Sequence, residues 1–167
     1  MRGDRLSRAH GGGFTYIGIL IAVAVMGIGL AAIGTVWRTG MQREREQELL
    51  FIGHEYRRAI ARYYLTGGGG TRYPQALENL LNDQRTPVPR HHLRRLYRDP
   101  MTGKADWQLV RAPDGGIMGV HSSSQAQPMK RANFETPDAT FEAKECYCDW
   151  QFIYQPRGAL RRALKGS

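Results

Sequence analysis

Cysteine is nearly absent from this chain, which has two cysteines among 167 residues, Cys146 and Cys148. Two are too few for a disulfide framework. In an extended strand a C-x-C pair points both side chains to one face, with Cα atoms about 6.6 Å apart, the upper limit for a bridge. We therefore rank a disulfide or free structural thiols first, pairing between chains second and a metal site last, because two ligands alone do not hold zinc.

Charged residues are absent from Gly11 to Trp37, where Ile, Leu, Val and Met predominate. At 1.5 Å per residue, a helix over 14–37 covers the hydrocarbon core of about 30 Å. Trp37 suits the membrane interface, and Arg38 ends the uncharged run. The sequence therefore predicts a transmembrane helix over 14–37.

Small residues recur at every fourth position inside this span, at Gly27, Ala31 and Thr35. Such a row lets helices approach closely in lipid, where packing drives association. The alternative explanation is that glycine and alanine are common in membrane helices. The row is our candidate helix-packing surface.

Motifs of known enzyme classes are also missing. His54-Glu55 is not followed by a second histidine at zinc-helix spacing, and the glycine run 67–70 does not lead into the Lys-Ser/Thr of a phosphate-binding loop. Ser122–Ser124 lack the glycine elbow of a serine hydrolase. His91 and His92 lie in an arginine-rich connector, which indicates a solvated surface. We expect neither an enzyme nor a bound cofactor or metal.

The segment 38–66 has the composition of a water-exposed helix that covers a core. Apolar residues recur with helical spacing from Leu49 to Tyr63, and charged residues occupy the remaining positions. The glycine run 67–70 ends the pattern. We expect 38–66 to continue the transmembrane helix as an amphipathic half.

The remainder, 71–156, predicts a globular α+β head. A proline-initiated short helix over 74–81 is followed by strands at 107–111 and 117–121, and a turn-rich link between them marks a hairpin. Alternation over 146–154 indicates a third strand that buries Cys148, Trp150, Phe152 and Tyr154. The polar stretch 122–138 predicts a surface loop, and 157–167 a basic tail.

Positive charge exceeds negative charge, with a formal net charge of +9. Residues 1–13 hold Arg2, Arg5 and Arg8 against Asp4, so the chain from Phe14 onward keeps seven of these charges. Such a balance favours anionic partners or, more simply, a solvated basic surface. Arginines before the apolar run also favour a cytoplasmic N-terminus.

The order of these features is informative in itself. A secretory signal carries its cleavage site after the apolar region, whereas Gly11-Gly12-Gly13-Phe14-Thr15 precedes it here. This order resembles the leader of type IV prepilins and type II secretion pseudopilins. The resemblance implies that a prepilin peptidase cuts between Gly13 and Phe14 and methylates the new N-terminus. It also implies a pilin-like fold, in which one long N-terminal helix packs on a small antiparallel sheet.

The head is similar to the major pseudopilins of type II secretion. The similarity rests on Tyr73-Pro74, a short helix, a Leu-x-x-Leu pattern from Leu93, then Asp99-Pro100 and Gly103. Those proteins carry a calcium site in the head. The acidic residues here are scattered, and we do not extend that site to this chain.

One position departs from the family pattern. The fifth residue of the mature chain is normally glutamate, thought to pair with the N-terminal amine of a neighbouring subunit, and here it is Gly18. A buried charge is costly unless paired, so that glutamate helps to set subunit register. Gly18 implies either a minor or tip subunit or a branch that assembles by packing alone.

The resemblance thus implies a pseudopilin of a type II secretion system, anchored in the inner membrane with its head in the periplasm. Its partners would be prepilin peptidase, other pseudopilins and an inner-membrane assembly platform, and nucleic acid is a less favoured partner. The close alternative is a type IV pilin-like minor subunit for DNA uptake or pilus assembly. A membrane-anchored periplasmic enzyme is the more distant one.

Overall fold

A computed structural model describes residues 12–67 and 70–156, including all side chains there except those of 12–15, 28–36 and 38. The predicted leader up to Gly11 and the predicted basic tail, 157–167, lie outside the described residues. The chain divides into two compact units, Met1–Met41 and Gln42–Ser167. The second unit contains the sheet and the core.

One helix, α1, extends over Gly12–Thr66. Its sequence lacks proline throughout and is rich in good helix formers after Met41. The helix ends immediately before Gly67, where the sequence predicts it, and the Thr66 hydroxyl donates to the Arg62 carbonyl at 2.5 Å. Within the second unit α1 contributes one buried stripe with three- and four-residue spacing: Leu49, Ile52, Tyr56, Ala59, Ile60 and Tyr63.

Three antiparallel strands form the sheet in the order β1-β2-β3: β1 (Gln108–Arg111), β2 (Ile117–His121) and β3 (Phe152–Ile153). Val120 in the central strand pairs with Leu109 on one side and Phe152 on the other. Gly115, with φ of 81°, sits in the β1–β2 connection in a conformation that suits glycine. The predicted hairpin and the α+β fold with a small antiparallel sheet are thus confirmed.

The predicted strand over 146–154 is wrong for most of its length. Only Phe152–Ile153 is extended, and Tyr147–Asp149 forms a 3₁₀ helix. Alternation does not apply to a 3₁₀ helix, which rotates by about 120° per residue. Tyr147, expected on the exposed face, is therefore fully buried, whereas Cys148 is half-buried.

Two further expectations need correction. The short helix predicted over 74–81 is a single 3₁₀ turn, Leu77–Leu80. The stretch 122–138 is largely irregular, but it is not simply a surface loop, because Ser122, Pro128 and Asp138 are buried in it. Another 3₁₀ helix, Thr136–Phe141, begins at its end.

Aromatic side chains fill the centre of the core. The Trp150 ring stacks on Phe141 with centroids 5.3 Å apart, and Phe152 meets Phe141 edge-on at 5.0 Å. Gly53 on α1 faces the Phe152 ring, and a Cβ at this position would lie 2.4 Å from the ring carbons. The absence of a side chain at residue 53 therefore sets the distance between α1 and β3.

Candidate functional site

The N-terminal unit presents an apolar helical surface. Between Tyr16 and Met26, eight large apolar side chains of α1 are at least half exposed. Gly18 lies in this stretch and Gly27 follows it directly, and a Cβ built on either would have no atom within 4 Å. An apolar surface of this length marks a site of contact with a membrane or another protein.

The sequence-predicted site residues of this unit are only partly described. Gly13 and Phe14 lie in the first turn of α1, and the Phe14 side chain lies outside the described residues, as do those of Ala31 and Thr35. Of the predicted packing row, only the surroundings of Gly27 are therefore described.

Among the described residues, no helix combines the length and apolar character needed to span a membrane. The side chains of 28–36, inside the predicted span, fall outside that description.

In the second unit, a buried carboxylate fastens the polar loop to α1. Glu46, 5% exposed, accepts hydrogen bonds from the backbone N–H groups of Met129 at 2.8 Å and Lys130 at 3.1 Å, and from the Tyr147 hydroxyl at 2.8 Å. One turn earlier, Gln42 donates to the Gln127 carbonyl at 3.0 Å. Burial raises the pKa of Tyr147 to about 12. Sequence reasoning assigned no role to Glu46, because it lies among alternating Glu and Arg residues that suggest a solvated helix face.

A second buried carboxylate joins α1 to the 3₁₀ helix that follows the loop. Asp138, with its side chain 4% exposed, lies 2.5 Å from His54 Nε2 and 2.8 Å from Arg57 Nη1. Burial raises the pKa of Asp138, but the hydrogen bonds from His54 and Arg57 outweigh this effect and hold the pKa below its ordinary value. His54 is thus a partner of Asp138, in an arrangement that serves packing.

A third buried cluster corrects the prediction for His92. Its side chain is 4% exposed, and its Nε2 lies 3.0 Å from the Asp83 carboxylate. Arg85 contacts the same carboxylate at 2.7 Å and lies over the Tyr63 ring at 3.4 Å from the centroid. The Arg85 hydrogen bonds hold the pKa of Asp83 well below its usual range. His91, in contrast, is exposed, as predicted.

The two cysteines are joined as a disulfide, with Cα atoms 5.1 Å apart. This separation is shorter than in a strand, because the bridge closes around the turn at Tyr147. Cys146, Cys148 and Asp149 form the one group of potential metal ligands found close together in the described part of the chain. Both sulfurs are bonded to each other, so neither is the thiolate that a metal site needs.

Two oppositely charged segments lie on the surface of this unit. The basic segment, residues 90–98, carries four exposed arginines: Arg90, Arg94, Arg95 and Arg98. The acidic segment, residues 135–149, carries four exposed carboxylates and one exposed cation, Lys144. The carboxylates are Glu135, Glu142, Glu145 and Asp149.

Each segment borders a surface groove along α1. Residues His91, His92 and Arg94 line one groove of about 420 Å³ together with Phe51, Glu55 and Arg62 of the helix. Pro137, Thr140, Lys144 and Asp149 line a groove of about 590 Å³ that includes Arg57. Charged side chains of both signs, Arg57, Lys144 and Asp149, line the larger groove. These surfaces are suited to binding.

Comparison with known proteins gives no relative: no family model matches the chain, and neither a curated protein nor a solved structure is significantly similar to it.

Proposed function

We propose that this chain is a pseudopilin of a type II secretion system and acts as a structural subunit of a periplasmic filament that supports protein export. The observation that carries the proposal is the order of basic leader, glycines, Phe14 and uncharged helix. In a prepilin this order leaves the apolar helix on the processed chain. A secretory signal would instead lose its apolar region.

Helix α1 supports this proposal. It begins at Gly12, next to the proposed cleavage site, and continues without a break to Thr66. Its N-terminal part exposes apolar side chains, and its residues from Leu49 to Tyr63 bury a stripe in the core. A pilin-like subunit needs both properties in one helix, since one part contacts lipid or neighbouring subunits and the other fixes the head.

Under this proposal prepilin peptidase cuts after Gly13 and methylates Phe14. The segment 14–37 anchors the chain in the inner membrane, with the N-terminus cytoplasmic and the head periplasmic. An assembly platform would then move subunits from the bilayer into the filament. Helix packing along Gly27, Ala31 and Thr35 would join subunits in lipid.

The alternative function is a type IV pilin-like minor subunit for DNA uptake or pilus assembly. The observation that favours it is the basic segment, whose exposed arginines could contact phosphates. Under this alternative the full-length chain binds DNA in low salt and loses affinity steeply as salt rises. A lack of binding in low salt would rule it out.

The proposed function is tested by the intact mass and N-terminal sequence of the membrane-extracted chain, with and without prepilin peptidase. We expect a peptidase-dependent product that begins with methylated Phe14. Gly13→Leu should prevent cleavage, whereas Gly3→Leu, the same substitution elsewhere in the leader, should leave it intact. A chain that still begins at Met1 when the peptidase is present would contradict the proposal.

A further inference from the structure

The basic and acidic segments lie on opposite sides of the exposed stripe of α1. Arg58, which is exposed and pairs with Glu55, marks the centre of this stripe. Successive residues of an α-helix are rotated by about 100° about its axis. On one side of Arg58, within about 60° of it, lie Phe51, Arg62 and Glu55. On the other side, within about 100°, lie His54 and Arg57. The first three line the groove beside the basic segment, and Arg57 lines the groove beside the acidic segment. The two grooves therefore lie on different sides of the exposed stripe of the helix.

The charges of these segments are largely unused within the subunit. In the described residues Arg90, Arg94 and Arg98 form no side-chain hydrogen bond or ion pair, and Arg95 only lies over the Tyr97 ring. The exposed carboxylates of the acidic segment likewise have no ion-pair partner there. Asp138, the buried acid of that segment, forms ion pairs with Arg57 and His54. The basic segment thus has an excess of unpaired positive charge and the acidic segment an excess of unpaired negative charge.

The charges of the two segments are complementary, whereas neither segment is complementary to the same segment of a second copy. The basic segment exposes four arginines, and the acidic segment exposes four carboxylates and a lysine. Two identical surfaces of either kind would repel each other, so an interface with twofold symmetry through one segment is disfavoured. Contact between unlike flanks of two copies is favoured, and such a head-to-tail contact generates rings or open filaments.

We propose that the basic segment of one copy binds the acidic segment of the next copy. The inference rests on the proposed function, because a filament subunit needs a head-to-tail contact that repeats. Arg94 and Arg98 of one head pair with Glu142 and Glu145 of its neighbour. Guanidinium groups suit this role because they bind carboxylates through two parallel hydrogen bonds.

The test uses two forms of the full-length chain in detergent, each of which carries a different affinity tag. It measures how much of one form copurifies with the other. The basic-side variant is Arg94→Glu/Arg98→Glu, and the acidic-side variant is Glu142→Arg/Glu145→Arg. We expect each variant alone to copurify about tenfold less than the wild type, since like charges then face each other. A mixture in which each variant carries its own tag should return to the wild-type level, because every contact between the two variants then joins unlike charges.

The mixture separates the proposal from a folding defect, since two misfolded chains would not restore each other. The matched control, Arg72→Glu/Arg111→Glu, makes the same change in net charge at exposed positions outside both segments and should copurify normally. Raising salt to about 1 M, where the Debye length is about 3 Å, should abolish the wild-type association. Variants that copurify like the wild type, or a mixture that fails to recover, would overturn the inference.

Two other outcomes distinguish competing explanations. Loss of wild-type copurification after nuclease treatment would show that nucleic acid bridges the copies, and the inference would be wrong. The N-terminal mass is an independent readout: cleavage at Gly13 without charge-swap rescue leaves the proposed function standing while the interface fails. Rescue without cleavage supports the interface and contradicts the secretion role.

Discussion

The carboxylate of Glu46 accepts a 2.8 Å hydrogen bond from the hydroxyl of Tyr147, a residue 101 positions later in the chain. The same carboxylate accepts hydrogen bonds from two backbone N–H groups of the polar loop. One side chain of α1 therefore holds both the loop and the disulfide-closed turn. Strand pairing adds little to this part of the head, because β3 has only two residues.

We expect Glu46→Gln to lower the free energy of unfolding by about 2 kcal/mol. The charged acceptor of these hydrogen bonds is lost, and the new amide NH₂ group faces N–H and O–H groups that are themselves donors. The measurement is denaturant unfolding of the full-length chain in detergent, followed by tryptophan fluorescence, to which the buried Trp107 and Trp150 contribute. Glu48→Gln, the same substitution at an exposed position of α1, should change stability by only a few tenths of a kcal/mol. Equal effects of the two variants would contradict the role of Glu46.

Reduction of the Cys146–Cys148 disulfide should destabilise the chain by about 1.5 kcal/mol, the loop-closure contribution of so short a ring. Without the bridge, residues 146–148 gain conformational freedom in the unfolded ensemble. Unfolding curves with and without reductant measure the difference. The Cys146→Ser/Cys148→Ser variant should match the reduced wild type and show no response to reductant. An identical midpoint for reduced and oxidised wild type would disprove the contribution.

Gly53→Ala should destabilise the chain by about 1–3 kcal/mol, the range for overpacking. The new Cβ would lie 2.4 Å from rigid ring carbons of Phe152, so α1 and β3 must separate. Gly40→Ala is the matched control, since a Cβ there meets no atom within 4 Å. The control should keep or raise stability, because alanine is the better helix former. A neutral Gly53→Ala variant would show that the helix and β3 are not in close contact.

Stability should fall as the pH drops below about 4, the ordinary pKa of an aspartate. The pKa values of Asp138 and Asp83 lie below this value in the folded chain. Their contribution is therefore fully present above the unfolded-state pKa and is lost as the pH falls through the folded-state values. Asp138→Asn should be less stable at neutral pH and should flatten the acid branch of the stability curve. An unchanged pH profile in this variant would mean that Asp138 is not ionised in the fold.

Gly18→Glu tests whether the missing glutamate limits assembly. The position has open space in the subunit, since a Cβ there meets no atom within 4 Å. Under the proposed function we expect unchanged leader cleavage and stronger crosslinking between copies in membranes, because the new carboxylate can pair with a neighbouring N-terminal amine. Gly27→Glu, equally unobstructed, should not strengthen crosslinking, since it lies away from that amine. Equal effects of both variants would contradict the pairing.

Local patterns in the sequence are sufficient to predict some elements of the fold. The end of α1 at Thr66 follows from the glycine run, and the β1–β2 hairpin follows from its turn residues. The buried stripe of α1 follows from its three- and four-residue spacing, since one face of a helix repeats at that period. The resemblance to a pseudopilin likewise rests on the sequence alone, because it depends on the order of leader, glycines and apolar run.

The positions of the polar residues, in contrast, depend on tertiary contacts. Glu46, Asp138 and His92 resemble solvated residues in the sequence, and each is buried because a distant or irregular segment supplies its hydrogen bonds. Tyr147 was placed on the wrong face because the disulfide-closed turn replaces strand alternation with 3₁₀ geometry. A buried polar group needs hydrogen-bond partners, which are often remote in sequence, and a local pattern contains no information about them.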